Sequence, residues 1–442
     1  MPLLKMLQAR GGTRRSHPII IDVNLNFPGG REAAQQRIWR MTGELLRSAG
    51  VDAGKQGINA AKTRYSKQYL FGRLRGDLIQ KLVRIDRETA PPADRAQDKK
   101  APALYRIWPD FEVSRQTNAS LSTIKADAAH NAFCALGEGI VWAVMDSGID
   151  GNHPHFKDHK NLDLPAPLKH CDFTTFGTQS EAESTAQALI DEAGHGTHVA
   201  GIIAGGTKSG LDARGVQVEI LATVSRKDEQ GQVIKETEPL EEISGMAPKC
   251  KLLSLKVLDE NGKGPVSNLI AAIEQIQEIN ANGRYIRVHG VNLSVGYDFD
   301  PKWFACGQSP LCVEVDRLVR SGVVVVVAAG NTGYGWNQSA AQGATAAGMD
   351  LTINDPGNAA LAITVGSTHR DSPHIYGVSY FSSKGPTGDG RLKPDLIAPG
   401  EKIVSCDSGG RLEAQAAGGS VGAALARPNV IEARYKEDSG TS

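Results

Sequence analysis

Nearly continuous apolar runs alternate with amphipathic stretches in the larger, C-terminal part of the chain. Three such runs, GIVWAVMDSGID, VHGVNLSV and SGVVVVVAAGN, contain or end in polar residues. Runs of this kind are typical of strands buried on both faces of a parallel sheet, and the valines at 323–327 favour a strand over a buried helix. The stretches 266–279 and 312–320 have helical spacing. This alternation predicts an α/β fold with a doubly wound parallel sheet, in which ligand sites lie at the carboxyl ends of the strands.

The N-terminal part of the chain has shorter apolar runs. We predict strands at 18–25, 68–71 and 103–113, helices at 31–47 and 76–85, and a loop rich in Pro, Asp, Lys and Ala at 88–101. This order of elements predicts a small α+β domain over residues 15–114, ahead of a larger domain over residues 125–442.

A polar segment at about 206–244 interrupts the larger domain. It contains the charged stretch SRKDEQGQVIKETEPLEE. Segments of this composition usually connect elements over the surface and leave the core unchanged. We therefore interpret the segment as an inserted surface hairpin or loop.

Composition and charge narrow the function class. Lys plus Arg and Asp plus Glu each number 49, so the formal net charge is zero and no broad basic surface points to nucleic acid. No apolar run reaches the roughly 18 residues that a membrane span requires. The N-terminus has basic residues but no apolar core or small-residue cleavage site, so no secretory signal is visible and a cytoplasmic location is favoured.

Six cysteines are scattered along the chain without paired zinc-type spacing. Cys306 and Cys312 are close enough in sequence to bridge a short loop. Because no export signal is visible, we predict thiols rather than disulfides.

Two polar residues stand at the ends of predicted buried strands. Asp146 ends VWAVMD, where a half-buried carboxylate is costly unless it has a partner. Asn331 ends VVVVVAAGN, and its side-chain amide can donate a hydrogen bond to an oxyanion. Turns are the alternative, since Ser147 follows the aspartate and Gly333 lies shortly after the asparagine. Position alone leaves both interpretations open.

His195 lies in DEAGHGTHVAGIIAG, whose small residues allow close backbone approach and whose apolar end predicts a buried helix. An imidazole there can act as a general base between a carboxylate and a serine hydroxyl. Metal binding by His195 and His198 is the alternative. That pair lacks the glutamate of the zinc-peptidase HExxH pattern and an obvious third ligand, so a metallohydrolase is the weaker hypothesis.

Together these segments closely resemble the subtilisin-like serine peptidase family, over roughly residues 125–442. The matching segments are DSGID followed by His153 and Pro154, GHGTHVAG, AAGNTG, FSSKGPTGDGRLKPDLIAPG and the terminal YKEDSGTS, which resembles the start of an SGTSMA-type serine motif. The order Asp, His, Ser is that of the subtilisin triad. The resemblance implies a catalytic triad of Asp146, His195 and Ser442. It also implies that Asn331 belongs to the oxyanion hole.

The same resemblance implies a serine endopeptidase that hydrolyses proteins or peptides through an acyl-enzyme. The implied substrate-binding residues form two edges of a cleft, with Leu293, Ser294, Val295 and Gly296 on one edge and Gly264 on the other. An extended peptide is expected to pair with these edges as an added strand. The N-terminal unit resembles the family's inhibitory prodomain, whose C-terminal tail is expected to occupy the cleft as a substrate-like strand.

Two positions depart from the family pattern. The family has a calcium ligand, usually Asp, after the His-Pro pair; this chain has His155 there, so we predict no cofactor and regard calcium at that position as doubtful. The sequence ends at Ser442, where the family's nucleophile opens a long buried helix. We therefore expect impaired catalysis, and a peptide-binding or split-partner module is the alternative function.

Overall fold

The computed structural model describes residues 3, 7–8, 11–52, 55–63, 66, 68–93, 96–109, 119–175, 178–212, 215–227, 232–297, 306–339, 343–409 and 430–442. The chain divides into two compact units. The first comprises Met1–Arg115 with Asn131–Cys134, and the second comprises Gln116–His130 with Ala135–Ser442.

The first unit contains a four-stranded antiparallel sheet with order β2-β3-β1-β6. Its elements are β1 (Ser16–Val23), α1 (Gly30–Ser48), β2 (Gly57–Ile58), α2 (Ala60–Thr63), β3 (Tyr69–Arg75), α3 (Gly76–Glu88), β4 (Pro92–Ala93), β5 (Ala96–Lys100) and β6 (Leu104–Pro109). The loop predicted at 88–101 is wrong in part, because β4 and β5 form a short antiparallel pair there. Proline and charged residues are depleted in strands, and because this segment is rich in them its composition did not predict the two strands. Residues 110–113 of the last predicted strand lie outside the described residues.

The core of the first unit lies between its sheet and its two longer helices. In β1 every second residue is buried, including Ile19 and Ile21, and α1 and α3 bury Ile38 and Leu78 against them. Asp86 in α3 is fully buried and accepts the backbone N–H groups of Ala103 and Leu104 and the Nε–H of Arg37. Because its oxygens are hydrogen-bonded, this carboxylate is tolerated inside and ties α3 to β6.

The second unit contains a sheet of seven parallel strands. The elements from residue 119 onwards are α4 (Ala119–Thr123), α5 (Ala126–Phe133), β7 (Val141–Asp146), a 3₁₀ turn (Pro154–Phe156), β8 (Cys171–Asp172), α6 (Glu181–Gln187), α7 (His195–Ile203), β9 (Gly206–Lys208), β10 (Gly210–Leu211), β11 (Gln217–Lys227), β12 (Val233–Leu240), β13 (Glu242–Ser244), β14 (Lys251–Lys256), α8 (Val266–Ile279), a 3₁₀ turn (Ala281–Gly283), β15 (Gly290–Leu293), α9 (Pro310–Arg320), β16 (Val324–Ala328), β17 (Tyr334–Ser339), β18 (Gly343–Gly348), β19 (Ile363–Thr368), α10 (Pro373–Tyr376), β20 (Leu396–Pro399), β21 (Ile403–Cys406) and β22 (Val430–Asp438). The strand order is β20-β19-β16-β15-β7-β14-β8, and every neighbouring pair is parallel.

Helices lie on both faces of this sheet, as the doubly wound prediction requires. On one face α8 and α9 pack around Val291 and Val327, and on the other α7 packs near Val144. The predicted helix at 266–279 is confirmed as α8. The helix predicted from residue 312 begins two residues earlier, because the Ser309 side chain accepts the N–H of Cys312 and so caps the first turn. None of the described helices combines the length and apolar character needed to cross a bilayer.

The segment at 206–244 is more integrated than a surface hairpin. β11 and β12 do form an antiparallel hairpin, but β11 also pairs in parallel with β22. Ile220 and Ala222 of β11 are buried, while β12 is largely exposed. Because charged residues dominate the segment, its composition does not reveal that alternate residues of β11 are buried. The interpretation as a purely surface insertion is therefore incomplete. The result is a second, five-stranded sheet that includes β10, β11, β12, β21 and β22.

All six cysteines lie within the described residues and all are thiols. Cys306 and Cys312 are not bridged. The prediction of thiols is confirmed.

Candidate active site

Asp146 and His195 meet at the carboxyl end of the central sheet. Asp146 is the last residue of β7 and is 1% exposed, and His195 is the first residue of α7. The imidazole Nδ1 lies 2.8 Å from Oδ1 and 2.9 Å from Oδ2 of the carboxylate. The backbone N–H of Ser147 donates to the same carboxylate at 2.8 Å. The pair has the geometry of a carboxylate that orients an imidazole and stabilises its cationic form.

The electrostatic environment favours a protonated imidazole. The Asp146 carboxylate raises the pKa of His195 above its usual value, burial opposes the shift, and the charges of Asp191 and Asp438 add to the increase. A raised pKa makes the neutral imidazole a stronger proton acceptor.

A second buried carboxylate, Asp191, holds the start of α7. It is 1% exposed, and its Oδ1 accepts the Ser147 hydroxyl and the Gly194 N–H, each at 2.8 Å. Its Oδ2 accepts the N–H and the hydroxyl of Thr197 at 2.7 and 2.6 Å. The sequence reasoning did not single out Asp191, although an Asp shortly before the first helical residue is a recognisable capping signal.

Ser147 joins the two carboxylates. While its hydroxyl donates to Asp191, its oxygen accepts the N–H of Gly196 at 3.0 Å. The hydroxyl also lies 3.2 Å from Asp146 Oδ1. The side chain that suggested a simple turn after Asp146 is therefore part of the support for the Asp–His pair.

Asn331 is hydrogen-bonded to Thr441, the residue before the nucleophile candidate. Oδ1 of Asn331 accepts the N–H and the hydroxyl of Thr441, at 2.9 and 3.1 Å. Since the carbonyl oxygen is engaged, the NH₂ group of Asn331 is left to donate elsewhere. The next residue, Ser442, donates its hydroxyl to the Ser294 carbonyl at 3.2 Å. His195, Asn331 and Ser442 all line one open cavity of about 820 Å³.

The predicted cleft edges also line this cavity, with one exception. Ser294, Val295, Gly296 and Gly264 face it. Leu293 is not among the cavity-lining residues, because its side chain is fully buried in the core. Leu293 is the last residue of β15 and packs in the same core cluster as Val291, and the cavity-lining residues follow the end of the strand.

Two glycines of the cavity lining have no space for a side chain. A Cβ at Gly264 would lie 2.1 Å from the Val257 carbonyl oxygen, and one at Gly330 would lie 2.8 Å from Cγ of Asn354. Gly330 also has a φ of 107°, a conformation that favours glycine. Asn354 lines the cavity too and was missed from the sequence, because it lies far from the strand-end motifs.

The family model described as the subtilase family, peptidase S8, matches residues 137–442. The chain belongs to this family. Membership agrees with the resemblance inferred from the motifs.

Individual relatives agree with the family match. The chain is 28% identical to the serine protease AprX of Bacillus subtilis over 328 residues, which cover 73% of this chain and 60% of the relative. It is 26% identical to subtilisin E of the same organism over 385 residues, covering 86% of this chain and 77% of the relative. A shorter match of 238 residues to pyrolysin of Pyrococcus furiosus is 31% identical and covers 49% of this chain and 15% of that protein. The chain thus spans less than two thirds of the length of AprX.

In this subtilase the two histidines of GHGTHVAG have separate surroundings. His198 Nε2 lies 3.2 Å from the Lys436 carbonyl oxygen, and burial lowers the pKa of His198 to about 4. His195 turns its Nδ1 to Asp146 instead. Among the described residues no group of three or more His, Cys, Asp or Glu side chains is arranged to hold a metal ion. The geometry therefore favours the Asp–His pair over a two-histidine metal site.

The position of the family's calcium ligand has a different chemistry here. His155 is 1% exposed, with Nδ1 3.0 Å from the Tyr435 hydroxyl and Nε2 3.2 Å from the Gly201 carbonyl oxygen. Burial lowers the pKa of His155 to about 3. Calcium prefers six to eight oxygen ligands that include carboxylates. A neutral imidazole with both nitrogens engaged does not fit that ion.

Proposed function

We propose that this chain is a serine endopeptidase that hydrolyses peptide bonds through an acyl-enzyme. Ser442 is the nucleophile, His195 is the general base and then the general acid, and Asp146 orients the imidazole. The observation that carries the proposal is the two-oxygen contact of the Asp146 carboxylate with His195 Nδ1, in a cavity that Ser442 also lines.

The proton path follows from the tautomer that Asp146 selects. With a proton on Nδ1 facing the carboxylate, Nε2 of His195 is free to take the proton of the Ser442 hydroxyl. The serine oxygen then attacks the substrate carbonyl, and the protonated imidazole gives its proton to the leaving amine. Water repeats the sequence to release the acyl group.

Asn331 supports the same chemistry at the developing oxyanion. Its carbonyl is turned to Thr441 by two hydrogen bonds, so its NH₂ group can donate to the substrate oxygen together with the Ser442 N–H. Such donors stabilise the transition state more than the ground state, and this difference accelerates the reaction.

Protein or peptide segments in extended conformation are the proposed substrates. The cavity has a volume of about 820 Å³ and is lined by residues 294–296 and by Gly264. Backbone edges of this kind bind a peptide by main-chain hydrogen bonds, and the adjoining cavities select side chains.

The N-terminal unit is proposed to be a prodomain that binds the cleft of its own peptidase. Support comes from its separate sheet and hydrophobic core and from its position ahead of the subtilase match. If the proposal is right, an active chain removes this unit, and Ser442→Ala retains it. Intact-mass measurement of both proteins over time tests this; loss of the unit at equal rates from both would contradict it.

Labelling by a fluorophosphonate probe tests the catalytic proposal directly, because it needs an activated serine hydroxyl. We expect labelling at Ser442 in the wild type and none in Ser442→Ala. A folded wild-type chain that binds peptides in the cleft without labelling would replace the peptidase proposal by the peptide-binding alternative.

A further inference from the structure

Three buried histidines contact three consecutive residues of β22, the strand that leads to Ser442. His153 Nε2 lies 2.8 Å from the Arg434 carbonyl oxygen, and His155 Nδ1 lies 3.0 Å from the Tyr435 hydroxyl. His198 Nε2 lies 3.2 Å from the Lys436 carbonyl oxygen. We call His153, His155, His198 and Tyr435 the histidine–tyrosine cluster. Because the contacts are successive along one strand, they point to a common role in holding β22 in position.

The cluster joins the segments that carry the three triad candidates. His153 and His155 lie in the 3₁₀ turn region after the strand that ends in Asp146. His198 lies in α7, which His195 opens. The cluster therefore links the segments that carry Asp146 and His195 to the strand that leads to Ser442.

Tyr435 is the main anchor of β22. Within this strand only Ala433 and Tyr435 are buried, and Tyr435 is 1% exposed. Its ring contacts the rings of His153 and His155 edge-on, at centroid distances of 5.3 and 5.6 Å. Its hydroxyl lies 2.9 Å from the hydroxyl of Thr207 as well as beside His155. A buried hydroxyl with two partners fixes position along the strand, because any shift leaves polar groups unpaired.

The surrounding backbone leaves room for this arrangement. Gly205 has a φ of 95°, and a Cβ added there would lie 2.4 Å from Cδ2 of His155. The His155 ring also faces the Gly201 carbonyl oxygen at 3.2 Å. The imidazole is thus confined between α7 and β22.

We propose that Tyr435 and His155 are positioning residues for Ser442, which hold β22 in register against the Asp–His half of the site by a hydrogen-bonded cluster. The catalytic consequence rests on the proposed peptidase function. The structural consequence, a protected β22, does not.

The test uses the full chain with Tyr435→Phe, which removes one hydroxyl and keeps the ring. Hydrogen–deuterium exchange of peptides covering 430–442 reports on the strand, and the rate of fluorophosphonate labelling reports on Ser442. We expect exchange of β22 amides to accelerate at least about 5–10-fold, because the contacts of the hydroxyl with both His155 and Thr207 are lost. We expect labelling to slow by a similar factor, with unchanged affinity for a peptide bound in the cleft.

Thr364→Val is a matched control. Its hydroxyl is buried in β19 and donates to the Gly357 carbonyl at 2.7 Å, on a strand that does not pair with β22. It should lower thermal stability without selectively accelerating β22 exchange. Wild-type exchange in Tyr435→Phe, or equal loosening of β22 in Thr364→Val, would overturn the proposal.

His155→Asn supplies an independent variant, and the double variant with Tyr435→Phe tests the link. If both residues act through their shared hydrogen bond, the double variant should loosen β22 by less than the sum of the two single effects. Additive loosening would show that they act separately and would contradict the proposal. Altered β22 exchange in a protein whose wild type never labels would refute the peptidase function and leave the positioning role intact.

Discussion

The two halves of the candidate site are held in different ways. The Asp146–His195 half lies between secondary-structure elements packed on the central sheet, and its two supporting carboxylates are each 1% exposed. The Asn331–Ser442 half is largely exposed and rests on hydrogen bonds at the tip of β22. Burial preorganises the first half. The second half depends on how well a strand far away in sequence is held.

The largest expected effect comes from breaking the buried half. Asp146→Asn removes the charge that favours the required tautomer and the cationic imidazole, so the rate of Ser442 labelling should fall by about 10³–10⁴-fold. Labelling kinetics with a fluorophosphonate measures it. Asp316→Asn, a buried carboxylate that accepts the Leu361 N–H elsewhere in the unit, is the control and should label normally. Equal labelling of Asp146→Asn and wild type would remove Asp146 from the triad.

A substitution in the Asn331–Ser442 half should lower the reaction rate by a smaller factor. Asn331→Ala removes one oxyanion donor, for which a loss of about 10²–10³-fold in kcat is usual. KM for a peptide substrate should stay nearly constant, because the donor acts mainly in the transition state. Steady-state kinetics separates the two quantities, and a change confined to KM would assign Asn331 to substrate binding instead.

Acid should weaken the link between the halves. Burial lowers the pKa values of three histidines: that of His153 falls below its usual value, that of His155 falls to about 3 and that of His198 falls to about 4. All three side chains are therefore neutral in the folded chain at pH 7. In the unfolded chain the same histidines take up a proton near pH 6.5. Because the buried, neutral histidines of the folded chain do not, the free energy of unfolding decreases as the pH falls from 6.5 toward 4. Each contributes up to about 1.4 kcal/mol per pH unit.

His195 opposes this trend, since its raised pKa contributes stability at low pH that is lost as the pH rises through the folded value. Thermal unfolding between pH 7 and pH 4.5 measures the net effect. His198→Asn should reduce the decrease of the unfolding temperature at acid pH by the contribution of one histidine. An unfolding temperature independent of pH over this range would contradict the expectation.

The smallest expected effect concerns Asp191, which is hydrogen-bonded to the first turn of α7. Asp191→Asn keeps the shape but removes a charge that raises the pKa of His195, so this pKa should fall and the acid limb of activity should move to lower pH. Asparagine has one acceptor oxygen in place of two and cannot accept all four hydrogen bonds of the carboxylate, so stability should also fall by about 1–2 kcal/mol. Titration of His195 by NMR checks the pKa without requiring catalysis, and an unchanged pKa would limit Asp191 to a structural role.

Local motifs predicted much of the fold and most of the candidate site. The valine run gave the expected β16, and the apolar run ending in Asp146 became the central strand β7. His195 could be singled out because its motif combines small residues with a helix start. Leu293 shows the limit, since a motif names consecutive residues but does not show which of their side chains the tertiary structure buries in the core.

Sequence alone determined the strand–helix alternation, the strand-end position of Asp146 and the helix-start position of His195, because these depend on side chains close together in the chain. Only the tertiary structure decided how the distant segments meet. His155 contacts Tyr435 across 280 positions, and β11 pairs with β22 across 213 positions. Such contacts depend on packing and register between separate elements, and no local pattern of hydrophobic and polar residues records them.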